Sequence, residues 1–430
     1  MAFPLTKNIN YKNNVLHIDN CSIDYIAEQI GTPFYVYSKT RLIENIASCK
    51  TAFLSHNIHI HYAVKANSNL QILKTVAEQG LGADLVSGGE LLRAKKAGIT
   101  PEKMIFSGVG KNRTELIQAI KMHVGQFNVE SAEELSLLSS LTMEHSSELT
   151  SPIKVALRVN PHVAVDTHKK ITTGQKGNKF GIETELALLL FQKYLNHPHM
   201  KLMGLAMHIG SQIFDVSPYQ EAIKKLLNLT SRVQKLGGDI QVLDLGGGFG
   251  INYGDKSPLD FTTIAQVIAE ETKHFKGKVA IEPGRSLVAD IGLLVSRINY
   301  VKESQPTPFL IVDAAMNDLM RPALYDALHP IKAVKEHTSS TTRLYDVVGP
   351  VCESTDIFAH KYPLDKNLKA GDLIAFFCSG AYSAVMSNSY NSRDVIPEML
   401  VSNDKVNIIR KKISQEHLIK FEESEESFVF

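Results

Sequence analysis

Eight short apolar segments, most of them separated by amphipathic stretches, constrain the fold of this chain more than any other feature. They are His59–Lys65, Gly82–Ser87, Lys103–Gly108, Gly125–Val129, Ile153–Val159, Leu202–Gly210, Ile240–Gly246 and Lys278–Pro283. Helical periodicity fills the gaps at 70–78, 90–97, 132–140, 219–236 and 261–274. Strands that alternate with helices form parallel βαβ units, and eight such units favour a closed (β/α)8 TIM barrel over an open doubly wound sheet.

The sequence on either side of this pattern predicts a second, mostly β domain. A strand over 33–38 and a helix over 39–54 precede the barrel strands. After residue 285 the helical periodicity fades, and β-rich runs follow at 293–301, 309–313, 344–348, 373–378 and 406–413. We therefore expect a barrel at 33–285, a β domain formed by 1–32 and 286–414 that completes the active site, and an acidic tail at 415–430.

Two irregular stretches interrupt the barrel pattern. Residues 141–152 are polar and predict a surface excursion. Residues 160–181 predict a long glycine-containing loop, of the kind that usually lies near a site.

The composition excludes several classes of protein. With 44% hydrophobic and 21% charged residues among 430, the chain is ordinary for a soluble globular protein. A net charge of +1 gives no reason to expect nucleic acid as a partner. No apolar run is long enough to span a membrane, and the N-terminus lacks the apolar core of a signal peptide. The four cysteines lack metal-site spacing, so we expect reduced thiols, a cytoplasmic location and no metal.

One strand delivers a lysine to its C-terminal end. Apolar side chains alternate with period two from Ile58 to Val64, which predicts a buried strand that ends at Lys65. Such a lysine either reaches solvent along its aliphatic stem or is buried with a lowered pKa. In the second case its amine is the nucleophile that forms a Schiff base with a carbonyl cofactor.

Polar residues or glycine stand at the ends of the other predicted strands, where barrels of this kind perform chemistry. In chain order these positions are Lys65, Asp84, Ser107, Asn128, Arg158, His208, Gly246-Gly247-Gly248 and Glu282. A barrel without a site needs only solvated loops there. The strand ends therefore predict an active site.

The glycine run after the seventh strand predicts a phosphate site. Gly246, Gly247 and Gly248 let backbone N–H groups approach an anion, and phosphates of these barrels bind after strands seven and eight. The run lacks the sixth-place glycine of the dinucleotide pattern, because Ile251 stands there. A plain tight turn is the alternative. Ser211 is positioned to add a hydroxyl to the same phosphate.

Two further strand ends suit an aromatic cofactor ring. Glu282 either forms an ion pair with Arg285 or faces a pyridine nitrogen that it keeps protonated. His208 is either a satisfied core histidine or a flat group that stacks on the ring. Together with Lys65 and the glycine run, these residues describe a pyridoxal 5'-phosphate site.

The motif set resembles that of the diaminopimelate decarboxylases, which belong to the alanine-racemase-like, fold type III pyridoxal-phosphate enzymes. The matching motifs are Tyr62–Asn67, His208–Gln212, Gly246–Gly248, Glu282–Arg285, Arg321–Tyr325, Cys352–Ser354 and Gly380–Tyr382, in the expected order between about residues 30 and 412. Thr355, the polar insert near 145 and the tail after 413 depart from the pattern.

The resemblance implies a role for each site residue. Lys65 is the Schiff-base lysine, and Cys352 is the proton donor, although a cysteine is more often a small buried hydrophobe. The cofactor-binding residues are Lys65, Asp84, Arg158, His208, Ser211, Gly246, Gly247, Gly248, Glu282, Pro283, Gly284, Arg285 and Tyr382. The substrate-binding residues are Arg285, Arg321, Tyr325, Glu353 and Tyr382. The resemblance also implies a homodimer in which Cys352 and Glu353 reach the partner's cofactor.

The substrate-binding set indicates a substrate with two amino-acid heads. Related decarboxylases act on ornithine or arginine, whose cationic far ends call for carboxylates alone. Here Arg285 and Arg321 suit a carboxylate and Glu353 suits an ammonium group. This combination favours meso-diaminopimelate, whose decarboxylation gives L-lysine and carbon dioxide. The alternatives are a decarboxylase of another basic amino acid, a racemase on the same fold, and a non-catalytic relative.

Overall fold

The computed structural model describes residues 5–164, 179–254, 256–336 and 341–423. The chain forms two compact units, and each has its own core. One comprises Ile43–Asn252 and Lys256–Leu287, and the other comprises Met1–Leu42, Tyr253–Asp255 and Val288–Phe430. We call them the barrel unit and the β unit.

Strands and helices are numbered in chain order. The strands are β1 (Ile9–Lys12), β2 (Val15–Ile18), β3 (Cys21–Ser22), β4 (Phe34–Ser38), β5 (Ile58–Ala63), β6 (Gly82–Leu85), β7 (Met104–Phe106), β8 (Gln126–Val129), β9 (Ile153–Arg158), β10 (Met200–Ala206), β11 (Val242–Asp244), β12 (Lys278–Ile281), β13 (Gly292–Lys302), β14 (Phe309–Val312), β15 (Ile331–Ala333), β16 (Thr342–Val348), β17 (Ile357–Asp365), β18 (Leu373–Phe376), β19 (Glu398–Ser402) and β20 (Lys405–Arg410). The helices are α1 (Ile23–Ile30), α2 (Lys39–Leu54), α3 (Leu70–Glu78), α4 (Gly88–Ala97), α5 (Arg113–Lys121), α6 (Ala132–Glu144), α7 (Thr184–Tyr194), α8 (Ser217–Lys235), α9 (Phe261–Thr272), α10 (Arg285–Val288), α11 (Arg321–Tyr325) and α12 (Gln415–Glu422).

The barrel unit confirms the predicted TIM barrel. Strands β5 to β12 pair in parallel in chain order, and β12 pairs with β5 to close the barrel. All eight predicted strands are present, although most are shorter at their C-terminal ends, because the last predicted residues already belong to turns. Those turns contain Lys65, Ser107, His208 and Glu282, whereas Asp84, Asn128 and Arg158 lie on the strands themselves.

Local signals define the helices that separate these strands. Helix α3 matches its predicted bounds and begins after Asn69, whose side chain accepts the Gln71 N–H. Helix α5 begins with a capping box between Asn112 and Glu115, which satisfies N–H groups that the helix itself leaves without partners. These short, capped helices return the chain to the N-terminal side of the barrel, so that each following strand runs parallel to the last.

The β unit contains two sheets. A nine-stranded sheet has the order β17-β16-β14-β13-β4-β19-β20, with β18 paired to β13 and β15 paired to β18. The N-terminal segment adds strands, as predicted, but they form a separate three-stranded sheet, β1-β2-β3. Leu16, Phe34, Leu293 and Met399 belong to one buried cluster between these elements.

The predicted start of the barrel segment at residue 33 differs from the structure. Strand β4 pairs with β13 and β19, so the chain from 33 to 42 lies in the β unit. The strand at 33–38 was predicted correctly, but its pairing partners lie more than two hundred residues away and leave no local signal.

The irregular stretches follow the predictions in part. Helix α6 extends to Glu144, and a single 3-10 turn at Ser146–Glu148 is the only regular element in the rest of 141–152. Of the predicted loop at 160–181, residues 165–178 lie outside the described residues. The predicted acidic tail begins as helix α12. None of the helices among the described residues has the length and apolar character needed to cross a membrane.

Candidate active site

A cavity of about 630 Å³ lies at the C-terminal ends of the barrel strands. Five of the predicted site residues line it, namely Lys65, Asp84, Arg158, His208 and Glu282. Ser107 and Asn128, also named as strand-end positions, line it as well, together with Phe180 from the end of the long loop. The structure thus brings together side chains from strands that are far apart in sequence.

Lys65 lies in a 3-10 turn, Val64–Ala66, directly after β5. Gly284 packs against this turn, because a Cβ atom at Gly284 would lie 3.1 Å from the Cβ atoms of Ala63 and Ala66. The N–H of Ala63 also donates to the carbonyl of Pro283 at 3.2 Å. The absence of a side chain at Gly284 therefore allows the turn after β12 to approach the turn that presents Lys65.

Lys65 forms an ion pair inside the cavity. Its Nζ lies 2.7 Å from Oδ2 of Asp84, whose side chain is fully buried, whereas that of Lys65 is 38% exposed. Burial raises the pKa of Asp84, but the charge and hydrogen bond of Lys65 outweigh it and bring that pKa below its usual value. The ion pair stabilises the ammonium form of Lys65, rather than the desolvated neutral amine considered from the sequence.

Arg158 ends β9 and is held by a carboxylate that the sequence analysis did not identify. Its Nη1 lies 2.8 Å from Oε1 of Glu130, and both side chains are largely buried. The same oxygen accepts the N–H of Gly108 at 3.1 Å. The guanidinium also lies 4.9 Å from the ring centroid of Phe180. These contacts fix the cation of Arg158 beside the cavity.

The glycine run is tightly packed. A Cβ atom at Gly247 would lie 2.1 Å from the carbonyl oxygen of Glu282, and one at Gly248 would lie 2.1 Å from that of Gly210. Gly248 also has φ +97, a backbone conformation that side chains disfavour. The N–H groups of Gly246 and Gly247 donate to Asp244 and His208 within the protein. These two N–H groups are therefore already engaged, which differs from the simple phosphate cradle expected from the sequence.

Ser211 and Arg285 supply other donors beside the glycine run. The segment after Gly210 runs along it, since the N–H of Ile213 donates to the carbonyl of Gly248 at 3.0 Å. Nη2 of Arg285 donates to the hydroxyl of Ser211 at 3.2 Å. This contact places a guanidinium and a hydroxyl side by side. It is compatible with both roles predicted for Arg285, binding of the cofactor and binding of the substrate.

His208 is held in one neutral form. Its Nδ1 accepts the N–H of Gly247 at 3.2 Å, so the proton resides on Nε2. Burial, assisted by the charges of Arg158 and Lys65, lowers the pKa of His208 to about 3. The imidazole is therefore uncharged near neutral pH, which suits a flat group that stacks on an aromatic ring.

Glu282 ends β12 and contacts a second buried carboxyl group. It hydrogen-bonds to Asp244, and both side chains are buried. Burial, together with the negative charges of Asp244 and Asp84, raises the pKa of Glu282 well above its usual value. Its buried Oε1 has no hydrogen-bond partner among the described residues. A buried oxygen of this kind calls for a ligand donor.

These residues fit pyridoxal phosphate. Glu282 offers a buried acceptor for the N–H of a pyridine ring, and His208 offers a neutral flat face. Ser211 and Arg285 place a hydroxyl and a guanidinium, two donors that suit a phosphate, beside the glycine turn. Lys65 supplies the primary amine that a bound aldehyde requires.

The other predicted substrate residues lie in the β unit. Arg321 begins α11 and is 6% exposed. Its guanidinium lies 2.7 Å from Nε2 of His329 and 4.7 Å from the ring centroid of Tyr253. Because Nδ1 of His329 pairs with the carbonyl of Phe377 at 2.8 Å, His329 donates there and accepts from Arg321. Arg321 is therefore positioned by a defined set of contacts.

Cys352 and Glu353 lie in an exposed turn of the same unit. The N–H of Cys352 donates to Oδ1 of Asn391 at 2.9 Å. The hydroxyl of Tyr390 donates to Oε1 of Glu353 at 2.7 Å. Tyr390 and Asn391 were not identified from the sequence, although they belong to one short polar run, Ser387 to Arg393.

Tyr325 and Tyr382 are partly buried in the β unit. Tyr382 has φ +53, which is uncommon for a residue with a side chain. It follows Gly380, where a Cβ atom would lie 1.8 Å from the carbonyl oxygen of Val288. The Gly380-Ala381-Tyr382 motif thus combines a close backbone approach with a left-handed residue.

Comparisons with known proteins show the family to which this chain is similar. Residues 39–289 match the family profile "Pyridoxal-dependent decarboxylase, pyridoxal binding domain". A diaminopimelate decarboxylase of Zymomonas mobilis is 43% identical over 420 residues, which cover 96% of this chain and 98% of that protein. One of Aquifex aeolicus is 38% identical and covers 96% of each chain. The crystal structure of a Helicobacter pylori diaminopimelate decarboxylase complexed with L-lysine superposes with a TM-score of 0.88 at 38% identity, covering 93% of this chain and 99% of that one.

Proposed function

This chain belongs to the pyridoxal-dependent decarboxylases, and we propose that it decarboxylates meso-2,6-diaminopimelate to L-lysine and carbon dioxide, the last step of lysine biosynthesis. The observation that supports it most is the shared cavity of Lys65 and Glu282. These two residues are the amine and the carboxyl group that a pyridoxal-phosphate decarboxylase requires. The full-length similarity to diaminopimelate decarboxylases supports the choice of substrate.

The cofactor, when bound, supplies an aldehyde that reacts with amines. Its ring accepts the electron pair that remains on the substrate when carbon dioxide leaves. Lys65 provides the amine that holds the aldehyde. Asp84 accepts a hydrogen bond from that amine at 2.7 Å and orients it. Glu282 would accept the ring N–H, and His208 would pack on the ring face. Ser211 and Arg285 would bind the phosphate beside the turn of Gly246 to Gly248.

The substrate-binding residues divide by charge. We assign Arg321, with Arg285, to the carboxylate of the distal amino-acid head and Glu353 to its ammonium group. Tyr390 donates to Glu353 at 2.7 Å and so orients the carboxylate. Tyr325 and Tyr382 are the remaining residues that we assign to substrate binding. A purely cationic far end, as in ornithine, lacks the carboxylate that the arginines require.

Cys352 is the proposed proton donor to the carbon that loses the carboxylate. Its exposed turn would reach the site of a second subunit in a homodimer, which is the arrangement that we propose. None of the four cysteines, all of which lie within the described residues, forms a disulfide bond. Free thiols are typical of a reducing compartment, and we infer a cytoplasmic location.

The test of the function is direct. Purified protein supplied with pyridoxal phosphate should release equimolar lysine and carbon dioxide from meso-diaminopimelate, with much lower turnover of ornithine, arginine and lysine. Formation of D-amino acid without carbon dioxide would instead identify a racemase. Cofactor binding without any turnover would identify a non-catalytic relative.

The shared site has its own test. Lys65→Ala and Cys352→Ala should each be inactive as homodimers. Mixed with subunit exchange, they form heterodimers in which one of the two sites has both residues. Partial recovery of activity supports the shared site, and no recovery after confirmed exchange contradicts it.

A further inference from the structure

We propose that the counter-charge for the ring nitrogen of the cofactor is a pair of carboxyl groups, in which Asp244 holds the negative charge and Glu282 relays it through one shared proton. This inference rests on the proposed role of Glu282 as the partner of the ring. It makes Asp244, a residue that the motif comparison did not identify, a positioning residue for the cofactor.

The contact between the two carboxyl groups requires a proton. Asp244 ends β11 and is fully buried, and it hydrogen-bonds to Glu282 at the end of the neighbouring strand β12. A carboxylate is only an acceptor, so two carboxylates cannot hydrogen-bond to each other without a proton between them. Two negative charges in contact away from water are also strongly disfavoured. The pair therefore holds one proton and one negative charge.

The surroundings place the negative charge on Asp244. Nδ2 of Asn128 donates to its Oδ2 at 2.9 Å, and the N–H of Gly246 donates to its Oδ1 at 3.1 Å. The same amide is engaged on its other side, where Oδ1 of Asn128 accepts from Nε2 of Gln126 at 2.7 Å. Asp244 therefore receives two N–H donors. Glu282 has none among the described residues at Oε1, so the proton belongs to Glu282.

The remaining charges around the pair agree with a single negative charge. Asp84 on β6 is neutralised by Lys65, and both groups influence the pKa of Glu282, Asp84 raising it and Lys65 lowering it. The charges of Asp244 and Asp84 also act on His61 on β5, where they raise its pKa. Burial lowers the pKa of His61, so it does not contribute a full positive charge near neutral pH.

This arrangement presents the vacant Oε1 of Glu282 to the cavity as an acceptor. A ring N–H would donate to Oε1, while the other side of the carboxyl group donates its proton to Asp244. The positive ring and the negative Asp244 are then joined through neutral Glu282. Either carboxyl group alone can supply the counter-charge, so the two residues back each other up.

Because either carboxyl group alone can supply the counter-charge, we expect ring protonation and cofactor affinity to depend on both residues together. The variants that test this are Glu282→Gln, Asp244→Asn and the double variant. In Glu282→Gln the amide oxygen accepts the ring N–H and Asp244 still supplies the charge. In Asp244→Asn the neighbouring negative charge is removed. Glu282 then ionises and supplies the counter-charge for the ring nitrogen alone. Each single variant should keep the ring protonated and lose roughly tenfold in cofactor affinity or less, whereas the double variant should lose both the proton and at least another tenfold.

The measurements are the 15N chemical shift of ring-labelled pyridoxal phosphate bound to each protein at pH 7.5, and its dissociation constant by equilibrium dialysis. Neither requires turnover. Loss of the ring proton in Glu282→Gln to the same extent as in the double variant would overturn the proposal, because Asp244 would then be only structural. Decarboxylation by the wild type is assayed separately, so failure of this inference is distinguishable from failure of the proposed function.

A second readout covers the case in which Asp244→Asn does not fold. Infrared spectra of the cofactor-free wild type at pH 8 should contain the C=O stretch of a protonated buried carboxyl group that Glu282→Gln removes. The exposed Glu133→Gln serves as the matched control and should leave the band in place. A spectrum of Glu282→Gln identical to that of the wild type would show that Glu282 holds no proton and would overturn the proposal.

Discussion

Asp84 is fully buried and still negatively charged because Nζ of Lys65 lies 2.7 Å from its Oδ2. The ion pair joins the turn after β5 to the neighbouring strand β6 and holds the lysine within the cavity of the barrel. It also explains how a strand-end lysine can avoid simply extending into solvent. The negative partner holds the Lys65 amine inside the cavity, where it would be available to the aldehyde of the cofactor.

Lys65→Ala should abolish both turnover and covalent attachment of the cofactor, since only a primary amine bonds the aldehyde. The fold should persist with some loss of stability, because the Lys65 side chain is more than one third exposed but the buried Asp84 loses its counter-charge. Borohydride treatment of wild-type enzyme followed by peptide mapping should locate the cofactor on Lys65. Lys154→Ala, an exposed lysine on β9, is the control and should label normally. A label found on another lysine of the wild type would contradict the assignment.

Gly247→Ala should weaken cofactor binding by about tenfold to one hundredfold, because its Cβ would lie 2.1 Å from the backbone carbonyl of Glu282 and force the turn apart. The measurement is the dissociation constant of pyridoxal phosphate. Gly89→Ala in helix α4 is the matched control, since a Cβ there meets only the Ser87 hydroxyl at 3.8 Å. Equal affinities of the two variants would show that the glycine run does not shape the site.

The ends of the barrel strands were predictable from sequence because each follows an apolar run, and a polar residue there has few structural roles. Lys65, His208 and Glu282 were found in this way. Asp244 stands at an equivalent place, after Val242 and Leu243, but the glycines that follow it predict a phosphate site and give Asp244 no role of its own. The sequence signal for Asp244 is an acidic residue at the end of an otherwise apolar strand.

Other features depend on contacts that the local pattern does not contain. Glu130 follows β8 and pairs with Arg158, but nothing in the sequence around either residue identifies the partner. The pairing of β4 with β13 and β19 likewise depends on distant strands. The same holds for Tyr390, whose contact with Glu353 spans 37 residues. Pairing between remote segments is decided by packing of the whole domain.

Glu130→Ala should reduce the free energy of unfolding by about 3 kcal/mol, since it leaves the largely buried Arg158 without its carboxylate. It also removes the acceptor of the Gly108 N–H. Urea unfolding of the cofactor-free enzyme measures the change. The control is Glu133→Ala, because Glu133 lies close to the same end of β8 and is exposed. This variant should change the free energy of unfolding far less. Similar losses in both variants would argue that the Arg158 contact is not stabilising.

His208 should make the cofactor-free enzyme less stable in mild acid. Burial lowers its pKa from 6.5 to about 3, so between these pH values the unfolded chain binds more protons than the folded one. Stability therefore falls as the pH decreases through this window. The loss due to His208 between pH 7 and pH 5 should be about 1–2 kcal/mol.

The variant that tests this is His208→Asn, whose side-chain oxygen can still accept the Gly247 N–H. Its free energy of unfolding should decline less between pH 7 and pH 5 than that of the wild type. The exposed His274→Asn should retain the wild-type decline. A decline in His208→Asn as steep as in the wild type would mean that His208 is not held neutral in the folded protein.

Arg321→Ala should impair diaminopimelate turnover selectively. If Arg321 binds the distal carboxylate as proposed, its removal should cost on the order of 2–5 kcal/mol in transition-state binding. That corresponds to a fall of roughly thirty-fold or more in kcat/KM. Arg321→Lys should recover only part of the loss, because an ammonium lacks the two-pronged geometry of a guanidinium. Arg297→Ala, which removes a guanidinium that donates to the Gly371 carbonyl in the same unit, is the matched control.

The comparison of substrates separates recognition of the distal head from general damage to the site. Wild type and Arg321→Ala are assayed on meso-diaminopimelate, lysine and ornithine. Turnover of lysine and ornithine should be low in the wild type, because both lack the distal carboxylate and place an ammonium group before the arginines. In Arg321→Ala their kcat/KM should be unchanged or raised while that for diaminopimelate falls. If the wild type decarboxylates ornithine or lysine as efficiently as diaminopimelate, recognition of a two-headed substrate fails as an explanation even though the cofactor site stands.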